Sequence, residues 1–200
     1  MRRLTAWILL IMVILTAGQC AGEPVSGFRD LFQNPAATAT PAPNSFRFRD
    51  GIRWGMNTQQ VRALETTPMT ERLMQNWSIM LTDGKVSVSR YTADLVFMFL
   101  ENRLHMIMYE FQNGTPDDYQ YLGEALGSVY GERREAEPLK IKALMDAVYP
   151  GRYMADQITR ATGWTAGDGT SVYLYYYQNN YAIMYVSPEL GAGIYQTNGL

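Results

Sequence analysis

Side chains able to carry out acid–base or nucleophilic chemistry are few and scattered. The chain has one histidine, His105, and one cysteine, Cys20. With one of each, a disulfide framework, a Cys/His zinc site and Cys–His catalysis within the chain are excluded. His105 lies among aliphatic residues with no Ser or Cys at a motif spacing, so it reads as a hydrogen-bonded strand histidine rather than a general base. Asp117 and Asp118 follow Thr115-Pro116, where negative charge complements a helix N-terminus. Asp168, between Gly167 and Gly169, marks a turn, because no acidic series for calcium surrounds it. Glu132, Arg133, Arg134 and Glu135 form a mixed-charge cluster typical of a solvated loop. No phosphate loop, dinucleotide glycine pattern or Gly-x-Ser-x-Gly elbow occurs. No catalytic residue, metal site or cofactor is therefore expected. Any acid–base work would fall to carboxylates such as Glu101 or Glu110.

The residues that do stand out are tyrosines. There are fourteen, and Tyr173, Tyr175 and Tyr177 alternate along one run. Tyrosine offers a large contact area, little entropy to lose and a polar tip that tolerates water, which suits a binding surface. It is also a good strand former, which explains the same row without any ligand. Pairing residues 172–178 with 181–186 through an Asn179-Asn180 turn puts Tyr173, Tyr175 and Tyr177 beside Ala182, Met184 and Val186. Tyr173, Tyr175, Tyr177 and Met184 are accordingly the candidate binding face.

The elements that must hold this face follow from pattern. Phe46-Arg47-Phe48-Arg49 alternates as a short strand does, and Asp50-Gly51 ends it. Asn57 with Gln60 three residues on forms a capping box, flanked by a Met56–Val61 hydrophobic staple. Leu73, Met74 and Trp77 share a face at helical spacing, so residues 70–77 read as a further helical turn or two. Residues 86–91, 93–100 and 104–111 read as three strands. A turn at Asn102-Arg103 would place Phe97, Phe99, Met106 and Met108 on one face, and Met98, Ile107, Tyr109 and Phe111 on the other. Thr115-Pro116 opens a second clear helix that Gly131 closes, with Tyr119, Leu122, Leu126 and Val129 as its stripe. Glu137-Pro138 opens a third, striped by Ile141, Leu144, Met145 and Val148. Gly163-Trp164 then sits in a strand ahead of the tyrosine hairpin.

This order predicts an α+β fold, with helix pairs packed on one face of an antiparallel β-sheet in two tandem helix-helix-β-β-β units. The chain is 47% hydrophobic and 18% charged, which fits a globular protein and not a disordered acidic chain. Seventeen Lys and Arg stand against nineteen Asp and Glu, so the chain lacks the basic field of a nucleic-acid binder.

The first 22 residues read as an address. Arg2 and Arg3 precede an apolar run over 6–17, followed by the small residues Ala17, Gly18, Ala21 and Gly22. That is the order of a secretory signal, and the run is shorter than the roughly 20 residues a spanning helix needs. Cys20 directly after it resembles a bacterial lipoprotein acceptor, although Gln19 departs from the small residue usual there. Two outcomes stay open: lipidation at Cys20, or ordinary cleavage near Gly22 that discards the cysteine. Either leaves the mature chain outside the cytoplasm, secreted or anchored. Contact with a membrane is expected only through an N-terminal lipid. Residues 23–45, with Pro41, Pro43 and an Ala/Thr stretch, read as a linker, and 46–200 as the folded domain.

The helix start Trp54-Gly55-Met56-Asn57-Thr58-Gln59-Gln60-Val61 resembles the Gly-Met-Thr-x-x-x-Val opening of the small envelope lipoprotein domains of the SmpA/OmlA group. Their fold is similar to that of the beta-lactamase inhibitory protein. Thr66-Thr67-Pro68 departs from the Leu-Leu-Gly-x-Pro continuation usual in that group. The resemblance implies a helix pair on an antiparallel sheet and a role in binding another envelope or secreted protein, with no catalytic residues to carry over. The alternative reading is a carrier or carboxylate-dependent enzyme for a small apolar ligand, with a pocket between sheet and helices.

Overall fold

A computed structural model describes residues 46, 48, 51–151 and 155–197. The expected signal segment, the linker and Cys20 lie outside the described residues.

Among the described residues there are nine strands and four α-helices. Helix α1 (Thr58–Leu64) precedes β1 (Met69–Met74), β2 (Trp77–Thr82), β3 (Val86–Val88), β4 (Tyr91–Leu100) and β5 (Arg103–Phe111). Then come α2 (Pro116–Tyr130), β6 (Arg134–Glu135), α3 (Pro138–Val148), β7 (Ile158–Thr165), β8 (Ser171–Tyr177), β9 (Asn180–Val186) and α4 (Pro188–Thr197). All the pairings are antiparallel, in the order β1-β2-β4-β5-β9-β8-β7-β6, with β3 beside the start of β4. The α+β class is as the sequence predicts.

The helix starts form where the capping chemistry puts them. Asn57 accepts from the N–H of Gln60 at 2.9 Å, and the Gln60 side chain returns the bond at 3.0 Å. Thr115 and Asp118 make the same reciprocal pair at α2, with Pro116 at the first helical position. Gly131 ends α2 at φ +86°, a left-handed geometry that a Cβ would disfavour.

The arrangement departs from two tandem units. Residues 70–77 form no helix: β1 and β2 make a hairpin that turns at Gln75, whose φ is +51°. The spacing of Leu73, Met74 and Trp77 suits either geometry, and pairing with β4 decides for the strand. Phe46 and Phe48 lie in no strand; they stack on Trp54 and Tyr109, at 4.6 and 5.8 Å between centroids. The helices also divide between the two faces. Tyr119, Leu122, Ala125 and Leu126 of α2 join Phe97, Ile107, Leu174 and Tyr185 in one core. Ile141, Leu144, Met145 and Val148 of α3 join Met98, Met106, Tyr175 and Met184 in a second core on the opposite side. Covered on both faces, the central strands carry near-continuous apolar runs.

Two register details set which residue faces which core. The β4–β5 turn is Glu101-Asn102, both at positive φ, one residue earlier than expected. A bulge then shifts the register, pairing Phe99 with Leu104 but Met98 with Met106, so His105 is the extra residue. Met106 and Met108 thereby move to the side of Met98, and Ile107, Tyr109 and Phe111 to the side of Phe97. In the tyrosine hairpin the turn is Gln178-Asn179, and Tyr177 pairs with Asn180. This is a slip of two in the summed register, so each side chain keeps its predicted face.

Candidate functional site

The tyrosine row is closed. Tyr173 is 4% exposed, Tyr175 2% and Met184 0%, all in the core beneath α3. The Tyr175 hydroxyl donates to Sδ of Met108 at 3.3 Å, and Nζ of Lys140 on α3 lies 5.5 Å from the Tyr173 ring centre. Only Tyr177 is half-buried. The expected open face of Tyr173, Tyr175, Tyr177 and Met184 is therefore corrected. These residues sit together on one face, and most of that face is core.

What remains open follows from lengths. Eight strands about 4.8 Å apart make a sheet about 34 Å wide. An 11-residue helix is about 16 Å long and about 10 Å across, too small to cover that width. Beyond the end of α3, a groove of about 440 Å³ lies over β1, β2, β4 and β5. Ile79, Val96 and Met108 form its buried floor, while Met74, Leu81 and Tyr149 are half-buried around it. Arg72 and Glu110 supply one cationic and one anionic group to the same groove.

Alternation explains this lining. Arg72 and Met74 are two apart on β1, Ile79 and Leu81 on β2, and Met108 and Glu110 on β5, so each pair shares a face. Glu110 stands opposite Asp94 across β4. The Asp94 charge is answered by Nζ of Lys85 at 2.5 Å and by Gln112 at 3.2 Å, which relieves the repulsion between the two carboxylates. The result is an apolar floor with a few polar groups at its margin, the composition of a binding surface.

The other sequence candidates lie elsewhere. Glu101 is exposed on the β4–β5 turn, so of the two candidate carboxylates only Glu110 reaches the groove. His105 is buried, its Nδ1 2.9 Å from Oγ of Ser187, and burial lowers its pKa below the ordinary value. Asp118 belongs to the α2 cap and also accepts from the Tyr91 hydroxyl at 2.9 Å. Its hydrogen bond from the Thr115 side chain, ahead of the other contacts, holds the carboxyl low. Asp168 accepts from the N–H and hydroxyl of Thr170 within its own turn, as a turn residue does. Among the described residues no group of three or more His, Cys, Asp or Glu is placed to hold a metal ion. No helix among them is long and apolar enough to cross a membrane.

Of the groove residues, only Glu110 was legible as a candidate. Met74, Ile79, Leu81 and Met108 look in sequence like any core strand residue, and only their place in the groove separates them. Comparison with protein-family models, curated proteins and solved structures found no match for this chain.

Proposed function

We propose that the protein is a secreted or lipid-anchored, non-catalytic binding module of the bacterial cell envelope, and that it takes an apolar segment of another envelope or secreted protein on its Met-rich sheet face. The observation that carries this reading is the strip over β1, β2, β4 and β5 that no described residue covers. Flexible thioethers at Met74 and Met108 adapt to varied apolar surfaces. Arg72 and Glu110 offer opposite charges to set the register of a bound segment. Among the described residues β1 is an outer strand of the sheet, and its outer edge also offers backbone hydrogen bonds to an extended partner. The resemblance of residues 54–61 to the envelope lipoprotein domains supports the same class, because those domains bind other proteins.

A photo-crosslinking residue at position 74 or 81, introduced into the exported chain in its bacterial envelope, tests this reading. A polypeptide adduct at 74 and 81, with none at the buried position 173, is the expected result. A second reading is a carrier for a small apolar ligand, favoured by a groove volume within the small-molecule range. An adduct of lipid mass at 74 and 81, with no polypeptide, would establish it instead. The mass of the mature N-terminus decides between acylated Cys20 and cleavage near Gly22.

A further inference from the structure

On the opposite face of the sheet, a second groove of about 570 Å³ runs between α2 and β7. Its lining is polar where the first is apolar. Arg160 and Thr162 alternate toward it from β7, and Arg133 reaches it from the turn after α2. The Arg160 guanidinium carbon lies 4.5 Å from the centre of the Tyr119 ring, a cation–π contact that leaves its N–H groups without a hydrogen-bond partner among the described residues. The Tyr119 hydroxyl donates to the carbonyl of Leu174 at 3.1 Å and shares a 2.9 Å bond with the Thr162 hydroxyl. Burial pushes that phenol up, against the Thr162 bond and the positive fields of Arg160 and Arg133.

Among the described residues neither arginine has a carboxylate within ion-pair distance, a property they share with Arg53, Arg72 and Arg134. The ion pairs among the described residues join Arg62 to Glu71, Lys85 to Asp94, Arg90 to Asp118, Arg103 to Glu189 and Lys142 to Asp146. Arg133 and Arg160 belong to none of them. The one carboxylate lining the groove, Glu124, accepts from Gln120 at 2.9 Å one helical turn away. The α2 wall is Gly123, Gly127 and Gly131, which lets a ligand approach the helix backbone closely. Behind it, Nε1 of the buried Trp164 has no hydrogen-bond partner and lies 3.9 Å from where a Cβ of Gly127 would stand.

We infer that the groove between α2 and β7 is a second binding site, one for a phosphate group held by Arg133 and Arg160. Two planar guanidinium forks match the several acceptor oxygens and double charge of a phosphate better than they match a single carboxylate. The group can belong to a soluble phosphate ester or to a phospholipid headgroup. Both present the same oxygens.

Calorimetric titration of the full-length chain with inorganic pyrophosphate tests this at low ionic strength. Saturable binding is expected, weakened about tenfold or more by Arg133→Gln and by Arg160→Gln, in line with a lost charged hydrogen bond. Arg160→Lys, which keeps the charge but loses the fork, is expected to weaken binding as well. Arg90→Gln, on the same face but stacked on Tyr121, should bind as the parent does. All three positions are exposed, and circular dichroism checks that each variant folds. Absence of binding at millimolar pyrophosphate overturns the proposal, and so does binding that both glutamine variants retain. Cosedimentation with vesicles of phosphatidylglycerol and phosphatidylcholine in equal parts, compared with phosphatidylcholine alone, separates the sources. Vesicle binding that both variants lose assigns the headgroup, and pyrophosphate binding without vesicle binding assigns a soluble phosphate.

Discussion

Nδ1 of His105 lies 2.9 Å from Oγ of Ser187, joining residues 82 apart in the chain. The backbone N–H of Ser187 also donates to the carbonyl of His105 at 2.8 Å. His105 is the extra residue of the β5 bulge, and Ser187 is the cap of α4, its Oγ accepting from the N–H of Leu190 at 3.2 Å. One contact therefore pins the register shift of the central strands to the start of the last helix. Ser187→Ala removes both side-chain bonds and should cost about 1–2 kcal/mol in urea denaturation.

The same histidine gives a pH dependence with a definite sign. Burial, the leading cause, lowers its pKa below 6.5 in the fold, so below that value the unfolded chain binds the extra proton. Its contribution is complete above pH 6.5 and is lost as pH falls through the window beneath it. Denaturation between about pH 5 and about pH 7.5 should show stability rising with pH, with a smaller slope in His105→Gln. Equal slopes would show that this histidine is not the group responsible.

A glycine that lines neither groove is indispensable for packing. A Cβ at Gly114 would stand 1.5 Å from Cε1 and 1.9 Å from Cδ1 of Tyr181, the ring that stacks on Phe111 at 5.0 Å. Gly114→Ala must push that ring out of the core and should cost about 2–4 kcal/mol. In a double-mutant cycle, Tyr181→Ala should absorb most of that cost.

Two glycines of α2 behave in the opposite way. A Cβ on Gly123 would meet Cδ2 of Leu174 at 3.7 Å and one on Gly127 would meet Nε1 of Trp164 at 3.9 Å, both ordinary contact distances. Neither φ is positive. Gly123→Ala and Gly127→Ala should each stabilise the chain by about 0.5–1 kcal/mol, seen as a higher thermal midpoint, because glycine in a helix interior loses more backbone freedom on folding than alanine.

The apolar groove should separate stability from binding. Met108 is 1% exposed beneath the Tyr175 hydroxyl, so Met108→Ala should cost about 2–4 kcal/mol. Met74 is half-buried on the outer strand, and Met74→Asp should change stability by less than about 1 kcal/mol. Cross-linking from position 81 should nevertheless fall away in Met74→Asp. A full-strength polypeptide adduct in that variant would remove Met74 from the binding surface.

Much of the local structure was legible. The Asn57–Gln60 cap, the Thr115-Pro116 helix start, the α2 and α3 stripes and the strands over 93–100 and 104–111 appear as expected, whereas of 86–91 only Val86–Val88 forms that strand and Tyr91 opens the next. Helix α4 was missed: Ser187-Pro188 is a proper start, but Gly191 and Gly193 interrupt any apolar stripe. The hairpin at Gln75 was missed because a short apolar run suits a helical turn or a strand equally well. Of the apolar groove only Glu110 was foreseen, as a spare carboxylate.

By itself the sequence determined the starts of α1, α2 and α3, the apolar stripes of α2 and α3 and the α+β class, since these follow from chemistry between near neighbours. Tertiary structure decided which strand lies beside which, above all β9 against β5, and which helix closes which face. It also decided that Tyr173 and Tyr175 are core while Met74, on the outer strand, stays half-buried. The physical reason is that exposure belongs to what lies above a residue. Residues 106–111 changed faces through one bulge at His105, and Tyr173 lost its water to a helix some thirty residues earlier in the chain.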